Sequence, residues 1–295
     1  MVSFFTVIIP TYQRPEELHR AVNSVLSQTF NDFELIIVNN AKNEITPFVN
    51  DKRIKILSEE RKGANFARNT GIENAQGEFI CFLDDDDVYL NNHLETLRQL
   101  ILVHAKKVAM YRTFTKLETA DRQITDQPVV LRNPSQSVLD HIYTVLLFMA
   151  CVCCHKDILS KIKFDPSVPI AQDYHLWTRI LVEYPLIEAP VITTLYHRSA
   201  NSISSPGLIN YQNYIFVFKN LFLMDPVRKQ LNKKIRDMRV FRYYYLILNS
   251  CTSELTLRQF FKFSSGALIY NPSYIFSFKY LKLAIKYVLI RIHLL

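Results

Sequence analysis

Phe79, Ile80, Cys81, Phe82 and Leu83 form an apolar run that stops at four consecutive carboxylates, Asp84, Asp85, Asp86 and Asp87. A continuous apolar run of this length reads as a strand buried on both faces, which ties the chain to a sheet covered by helices. Four adjacent anions repel one another and cannot enter a core, so they belong at the mouth of that strand, beside something positive. A divalent cation fits, and Mg²⁺ or Mn²⁺ fits best, because hard cations take a carboxylate or two together with phosphate oxygens. The alternative is a solvated acidic loop.

The surrounding pattern extends this reading. Thr6 to Ile9, Glu34 to Val38 and Arg53 to Leu57 read as strands, Pro15 to Gln28 and Ala64 to Asn74 as helices, and the alternation predicts a mostly parallel sheet. Ligands of such sheets bind beyond the carboxyl ends of the strands. Pro10, Thr11 and Tyr12 after the first strand, Asn39 and Asn40 after the second, and the acidic run after the fourth therefore converge. The chain has only five glycines and no Gly-x-Gly-x-x-Gly after the first strand, which excludes the usual dinucleotide fingerprint and phosphate loop. A sugar nucleotidyltransferase is disfavoured because residues 10–20 lack a glycine-rich basic loop.

The composition, 49% hydrophobic and 21% charged over 295 residues, is that of a globular protein, with room for one large domain or for one domain and a smaller appendage. The five cysteines lie mostly in apolar runs, which suits reduced thiols in the cytoplasm; Cys151, Cys153, Cys154 and His155 lack zinc-ligand spacing and read as a buried strand. The N-terminus does not read as a secretory signal, and the longest apolar run, Ile142 to Cys154, is too short to span a bilayer, reading instead as a buried helix leading into a strand.

The net charge of +8 is uneven. Glu254 is the last acidic residue, while Arg258, Lys262, Lys279, Lys282, Lys286 and Arg291 follow it. From Tyr274 to Leu295 the pattern is that of a basic amphipathic helix, which predicts peripheral docking on the inner face of the cytoplasmic membrane; the alternative is a helix packed on its own domain with its lysines in water. No nucleic-acid recognition motif is present.

Several motifs, in order, carry a resemblance. They are Val7-Ile8-Ile9-Pro10-Thr11-Tyr12 with Arg14 and Leu18, Ser24-Val25-Leu26 with Gln28-Thr29, Gly63-Ala64 with Ala67-Arg68-Asn69 and Gly71, Phe82-Leu83-Asp84 with Asp86-Asp87, and Gln172-Asp173-Tyr174 with Leu176-Trp177. Together they resemble the bacterial family 2 glycosyltransferases over roughly residues 3–205. The resemblance implies a GT-A fold over 1–206, a mostly parallel mixed sheet flanked by helices, followed by a helical, basic and aromatic region over 207–295. It implies inverting transfer of a sugar from a nucleotide diphosphate, UDP favoured, to a hydroxyl of a capsule, lipopolysaccharide or other surface glycan.

By the same resemblance Pro10, Thr11, Tyr12, Asn39, Arg68, Asp84 and Asp85 contact the nucleotide, Asp84 and Asp86 hold the cation, and Asp173 is the general base. In an extended segment Asp84 and Asp86 would face one cation while Asp85 points away. Asp173 also reads as a helix N-cap, ionised at neutral pH by the helix dipole. Trp177, the only tryptophan, reads as core or as a sugar platform. Three positions depart from the family pattern: Asn39-Asn40 replaces a pair of aspartates, Gln172 replaces a glutamate, and Ser199 replaces a histidine for which His197 is the candidate substitute as metal ligand. A catalytically inactive, sugar-binding relative is the alternative reading.

Overall fold

A computed structural model describes residues 3–43, 45, 50–119, 121, 123–198, 206–277, 279, 280, 282, 283, 285 and 287. The chain divides into two compact units, Met1–Ser167 with Gln172–Ala200, and Val168–Ala171 with Asn201–Leu295.

The first unit is built on β1 (Phe5–Thr11), α1 (Pro15–Leu26), β2 (Phe33–Asn39), β3 (Ile54–Ser58), α2 (Ala64–Asn74) and β4 (Phe79–Phe82). It continues through β5 (Val88–Tyr89), α3 (His93–Val103), β6 (Met110–Glu118), β7 (Ile124–Asp126), α4 (Val138–Thr144), β8 (Val152–His155), α5 (Lys156–Lys161), α6 (Gln172–Leu181) and β9 (Leu186–His197). The strands form one mixed sheet in the order β3-β2-β1-β4-β8-β6-β9-β5, with β7 on β6. The strands β3, β2, β1 and β4 run parallel, and β8 runs antiparallel to both β4 and β6.

Local chemistry explains the parallel half. Every residue of β1 is buried, as a strand covered on both faces requires. Pro15 opens α1, where its missing N–H costs nothing, and Glu16 and Glu17 lie in the first turn, where the helix dipole favours acids. The buried stripe Leu18, Ala21, Val22 and Val25 packs with Val7, Ile9, Leu35 and Ile37. Against β1, α2 comes close enough that a Cβ on Gly71 would sit 2.5 Å from Ile8 Cγ2, so only glycine fits there. Trp177 is fully buried on α6 with Phe82 and Phe164, which settles it as core. All five cysteines are free and buried, and Cys153 and Cys154 lie in β8.

The second unit contains α7 (Leu208–Leu223), α8 (Asp225–Gln230), α9 (Lys233–Ser250) and α10 (Leu257–Tyr270). Tyr214 of α7 stacks on Tyr243 of α9 at 4.4 Å, and Gly266 of α10 faces the Tyr244 ring so closely that a Cβ would collide with it. Among the described residues no helix is long and apolar enough to cross a membrane.

The interfacial reading of the segment after Tyr274 needs correction where it is described. Leu283 and Tyr287 are buried, and Tyr287 stacks on Phe260 at 4.2 Å. That apolar face covers the protein's own helix and is not offered to lipid, while Lys279, Lys282 and Ile285 face outward. Lys286 and residues 288–295 lie outside the described residues.

Candidate active site

The parallel register brings Thr11 of β1 beside Asn39 of β2, and Ile8 beside Phe82 of β4, so the carboxyl ends of three strands open at one edge. The acidic run sits there. It is a tight turn, not an extended segment: the Asp87 N–H donates to the Asp84 carbonyl at 3.0 Å. The alternation of side chains expected of a strand therefore does not apply; Asp85 and Asp86 share Arg14, while Asp84 and Asp87 have partners of their own.

Asp85 turns inward, accepting from the Thr11 hydroxyl at 2.8 Å and from Arg14 Nη1 at 3.1 Å. The same Arg14 nitrogen reaches Asp86 at 2.9 Å. Gln13, next to Arg14, holds φ 55, a left-handed backbone unusual outside glycine, and this bend turns the chain after β1 back toward the acidic turn. Asp84 is held by Arg68 Nη2 at 2.6 Å. Asp87 is buried and accepts the His197 backbone N–H at 2.9 Å. Burial pushes the Asp85 carboxyl up to about 6, with Thr11 and Arg14 opposing. Burial, followed by the Asp84 charge, raises Asp86, and the same two causes raise Asp87 well above the ordinary carboxylate range.

Arg68 links three segments. From α2 it donates to Asp84 and, through Nη1, to Gln172 Oε1 at 2.8 Å, while its buried Nε–H has no partner among the described residues. Gln172 opens α6, so the next residue, Asp173, is brought to the same edge. Asp173 lies one residue inside the helix start and accepts the Tyr174 N–H at 2.8 Å. The expectation that the helix end would keep it ordinarily acidic is corrected: burial pushes it up to about 6, with the Tyr174 N–H and Arg68 opposing and Asp84 adding repulsion. Some of the side chain still meets water.

The other expected residues are placed as follows. Pro10 is buried within β1, whereas Tyr12 is 48% exposed at the strand's mouth. Asn39 spends its amide on its own loop, donating to the Asn43 carbonyl and accepting from the Ala41 N–H. Asn40 ties the loop before α2, donating to the carbonyls of Glu59 and Arg61 and accepting from the Gly63 N–H. His197 departs from the expectation of a metal ligand. Its Nδ1 pairs with Glu118 at 2.7 Å, and among the described residues no group of three or more His, Cys, Asp or Glu gathers to hold a metal. Ser199 lies outside the described residues.

Two site residues escaped the sequence. Arg14 was visible only as part of a motif, and its long reach to Asp85 and Asp86 has no local signal. Tyr196 of β9 packs at a tilt of 38° against Phe148, centroids 4.6 Å apart, and its hydroxyl is pushed up to about 12 by burial and then by the charges of Asp87, Asp86, Asp84 and Asp173. It thus stands among the carboxylates although more than a hundred positions separate it from the acidic turn.

A mixed sheet of this topology with an acidic turn beyond its fourth strand defines a GT-A-type glycosyltransferase. Residues 6–155, half of the chain, match the profile of glycosyl transferase family 2, and the chain belongs to that family. WfgD of Escherichia coli, a UDP-Glc:alpha-D-GlcNAc-diphosphoundecaprenol beta-1,3-glucosyltransferase, is 29% identical over 212 residues, which cover 68% of this chain and 79% of WfgD. TarS of S. aureus, solved with UDP-GlcNAc, shares the fold with a TM-score of 0.63 at 16% identity, covering 92% of this chain and 82% of that one. The mannosyltransferase PcManGT from Pyrobaculum calidifontis, solved with GDP-Man and Mn²⁺, gives a TM-score of 0.57 at 16% identity, over 98% and 88% of the two chains.

Proposed function

We propose that this glycosyltransferase moves a sugar, with inversion, from a nucleotide diphosphate to a hydroxyl of a lipid-linked or growing surface glycan such as capsule or lipopolysaccharide. The observation that carries the proposal is Arg68, which joins the acidic turn to the residue preceding Asp173 and keeps a buried Nε–H that has no partner among the described residues. A diphosphate is the chemistry such a guanidinium accepts best.

Asp84 and Asp86 are the residues that would hold a divalent cation. The fit rests on their chemistry: Asp86 is raised by burial and by the charge of Asp84, and two carboxylates in this state suit a hard cation that also takes diphosphate oxygens. When bound, such a cation neutralises charge on the departing diphosphate. Thr11, through Asp85, sets the wall of the nucleotide pocket, and Tyr12 is the exposed ring available to it. Asp173 takes the proton from the acceptor hydroxyl as it attacks the anomeric carbon. Inversion requires a base on the face opposite the leaving group, and a carboxyl titrating near 6 is ionised at neutral pH while still basic enough to act.

UDP is the first choice of carrier, supported by the donor that WfgD's description specifies and by UDP-GlcNAc in TarS. WfgD's diphosphoundecaprenol acceptor supports a lipid-linked saccharide and, with it, work at the cytoplasmic face of a membrane.

The test is thermal shift and donor hydrolysis across UDP-, GDP- and dTDP-sugars, with and without Mn²⁺, on wild type and Asp86→Ala. Metal-dependent stabilisation and hydrolysis confined to one nucleotide class, lost in Asp86→Ala, is expected. Stabilisation that is equal without metal or persists in the variant removes the acidic turn from the mechanism. No response to any donor makes an inactive, sugar-binding relative the better reading.

A further inference from the structure

Helix α10 exposes a face that does not suit water. Leu257, Phe261 and Ile269 are 59%, 59% and 74% exposed, and Arg258, Lys262 and Ser265 are exposed beside them. At 100° per residue these six positions, with half-buried Leu268, occupy one arc of about 140°. The opposite arc, Phe260, Phe263, Ser264, Gly266 and Ala267, is buried. A surface helix normally directs its apolar stripe to the core and charged residues outward. Here both arcs are apolar, and the outer one adds two cations.

We infer that the outer face of α10 lies in the interface of an anionic lipid bilayer, Leu257, Phe261 and Ile269 entering the acyl boundary and Arg258 and Lys262 meeting lipid phosphates. Charge complementarity favours a bilayer over a protein partner: neither α10 nor any residue after Glu254 is acidic, while six lysines and arginines follow it. Large apolar side chains flanked by cations on one helix face are the composition of an interfacial helix. The helix is anchored independently of that face, because Thr256 and Gln259 form a reciprocal capping box at its start and Tyr244 packs against Gly266. It therefore presents the face already folded. The assignment shifts the lipid contact from the segment after Tyr274 to α10, since Leu283 and Tyr287 of that segment are turned inward. It does not depend on which donor the enzyme uses.

The experiment is cosedimentation of the full chain with vesicles of phosphatidylcholine alone or mixed with phosphatidylglycerol. Two variants accompany wild type: Leu257→Ser/Phe261→Ser/Ile269→Ser and Arg258→Glu/Lys262→Glu. Wild type should bind the anionic vesicles at least tenfold better than the neutral ones, and each variant should lose about tenfold or more. Nucleotide-induced thermal stabilisation should be unchanged in both variants, which separates failure of docking from failure of the active site. Equal binding by wild type and both variants, or no preference for anionic lipid, overturns the inference. So does concentration-dependent self-association, without vesicles, that the serine variant abolishes, because the face would then belong to a second copy of the chain. If the serine variant does not fold, the charge-reversed variant decides the outcome alone.

Discussion

Asp173→Asn should cost activity and at the same time stabilise the fold, and the two effects share one cause. Burial holds the Asp173 carboxyl at about 6 against an ordinary 3.8, a difference of about 2 units. At about 1.4 kcal/mol per unit, ionising it in the folded protein costs up to about 3 kcal/mol, and its remaining contact with water reduces this to about 2 kcal/mol. The folded pKa lies above the unfolded one, so between pH 4 and 6 the folded state binds more protons than the unfolded state, and stability falls as pH rises through that window. Asparagine keeps an acceptor for the Tyr174 N–H but has no proton to lose.

The variant should therefore match wild type near pH 4 and exceed it by about 2 kcal/mol at pH 7.5, measured by urea unfolding at both pH values. Transferase turnover should fall by about 10² to 10⁴, the range for loss of a positioned base. In wild type, kcat/KM should drop with an apparent pKa near 6, a limb absent from the residual activity of the variant. Turnover within a few-fold of wild type would refute the role of Asp173 as base. An unfolding free energy that differs equally at pH 4 and 7.5 would refute the electrostatic reasoning even if activity were lost.

Arg68→Met removes a cation that opposes the upward shift of Asp173 and holds Asp84, so the acid limb of kcat/KM should move to higher pH and donor-induced thermal stabilisation should be lost. The broken pair is half-buried, so unfolding free energy should fall by about 2 kcal/mol, between surface and buried values. Asn40→Ala deletes bonds to the Glu59 and Arg61 carbonyls and the Gly63 N–H, and urea unfolding should register a loss of about 2–3 kcal/mol. Gly71→Ala would force Ile8 aside in β1 and should lower stability by about 1–3 kcal/mol in the same assay; an unchanged midpoint would mean that α2 moves freely over the sheet.

The parallel half of the fold was legible because its signals are local. The run Phe79 to Leu83, the stripe on α1 and the ends of α2 each lie within a dozen residues, and the structure reproduces them within two residues. The strands β6, β8 and β9 were harder to order. Their partners lie far along the chain, and only pairing fixes β8 antiparallel between β4 and β6. The acidic turn was legible as a site but not in its geometry. A turn closed by Asp87 N–H and Asp84 carbonyl cannot be told from a strand end when all four side chains are the same. The nearness of Arg14 and Tyr196 to the acidic turn and the bond from Arg68 to Gln172 were invisible for a related reason: an interaction across 71 positions or more leaves no periodic trace.

The cost of gathering these acids explains why the arginines stand where they do. Asp84, Asp85, Asp86 and Asp173 share one edge of the sheet; Arg14 and Arg68 pair with carboxylates of the turn, Arg20 donates to the Asp86 carbonyl at 2.9 Å, and burial and the Asp84 charge raise Asp87 well above the ordinary carboxylate range. Three guanidiniums stand against the four carboxylates Asp84, Asp85, Asp86 and Asp173, so the edge keeps a net negative charge. A bare diphosphate would meet that potential as repulsion, whereas a diphosphate carrying a divalent cation would not. On this balance the proposed function favours a donor that brings its cation with it, while the arginines bind the turn together. Arg68, bonded to Asp84 and Gln172 through Nη2 and Nη1, keeps further N–H donors on the same rigid fork, among them the buried Nε–H, that a phosphate oxygen would satisfy.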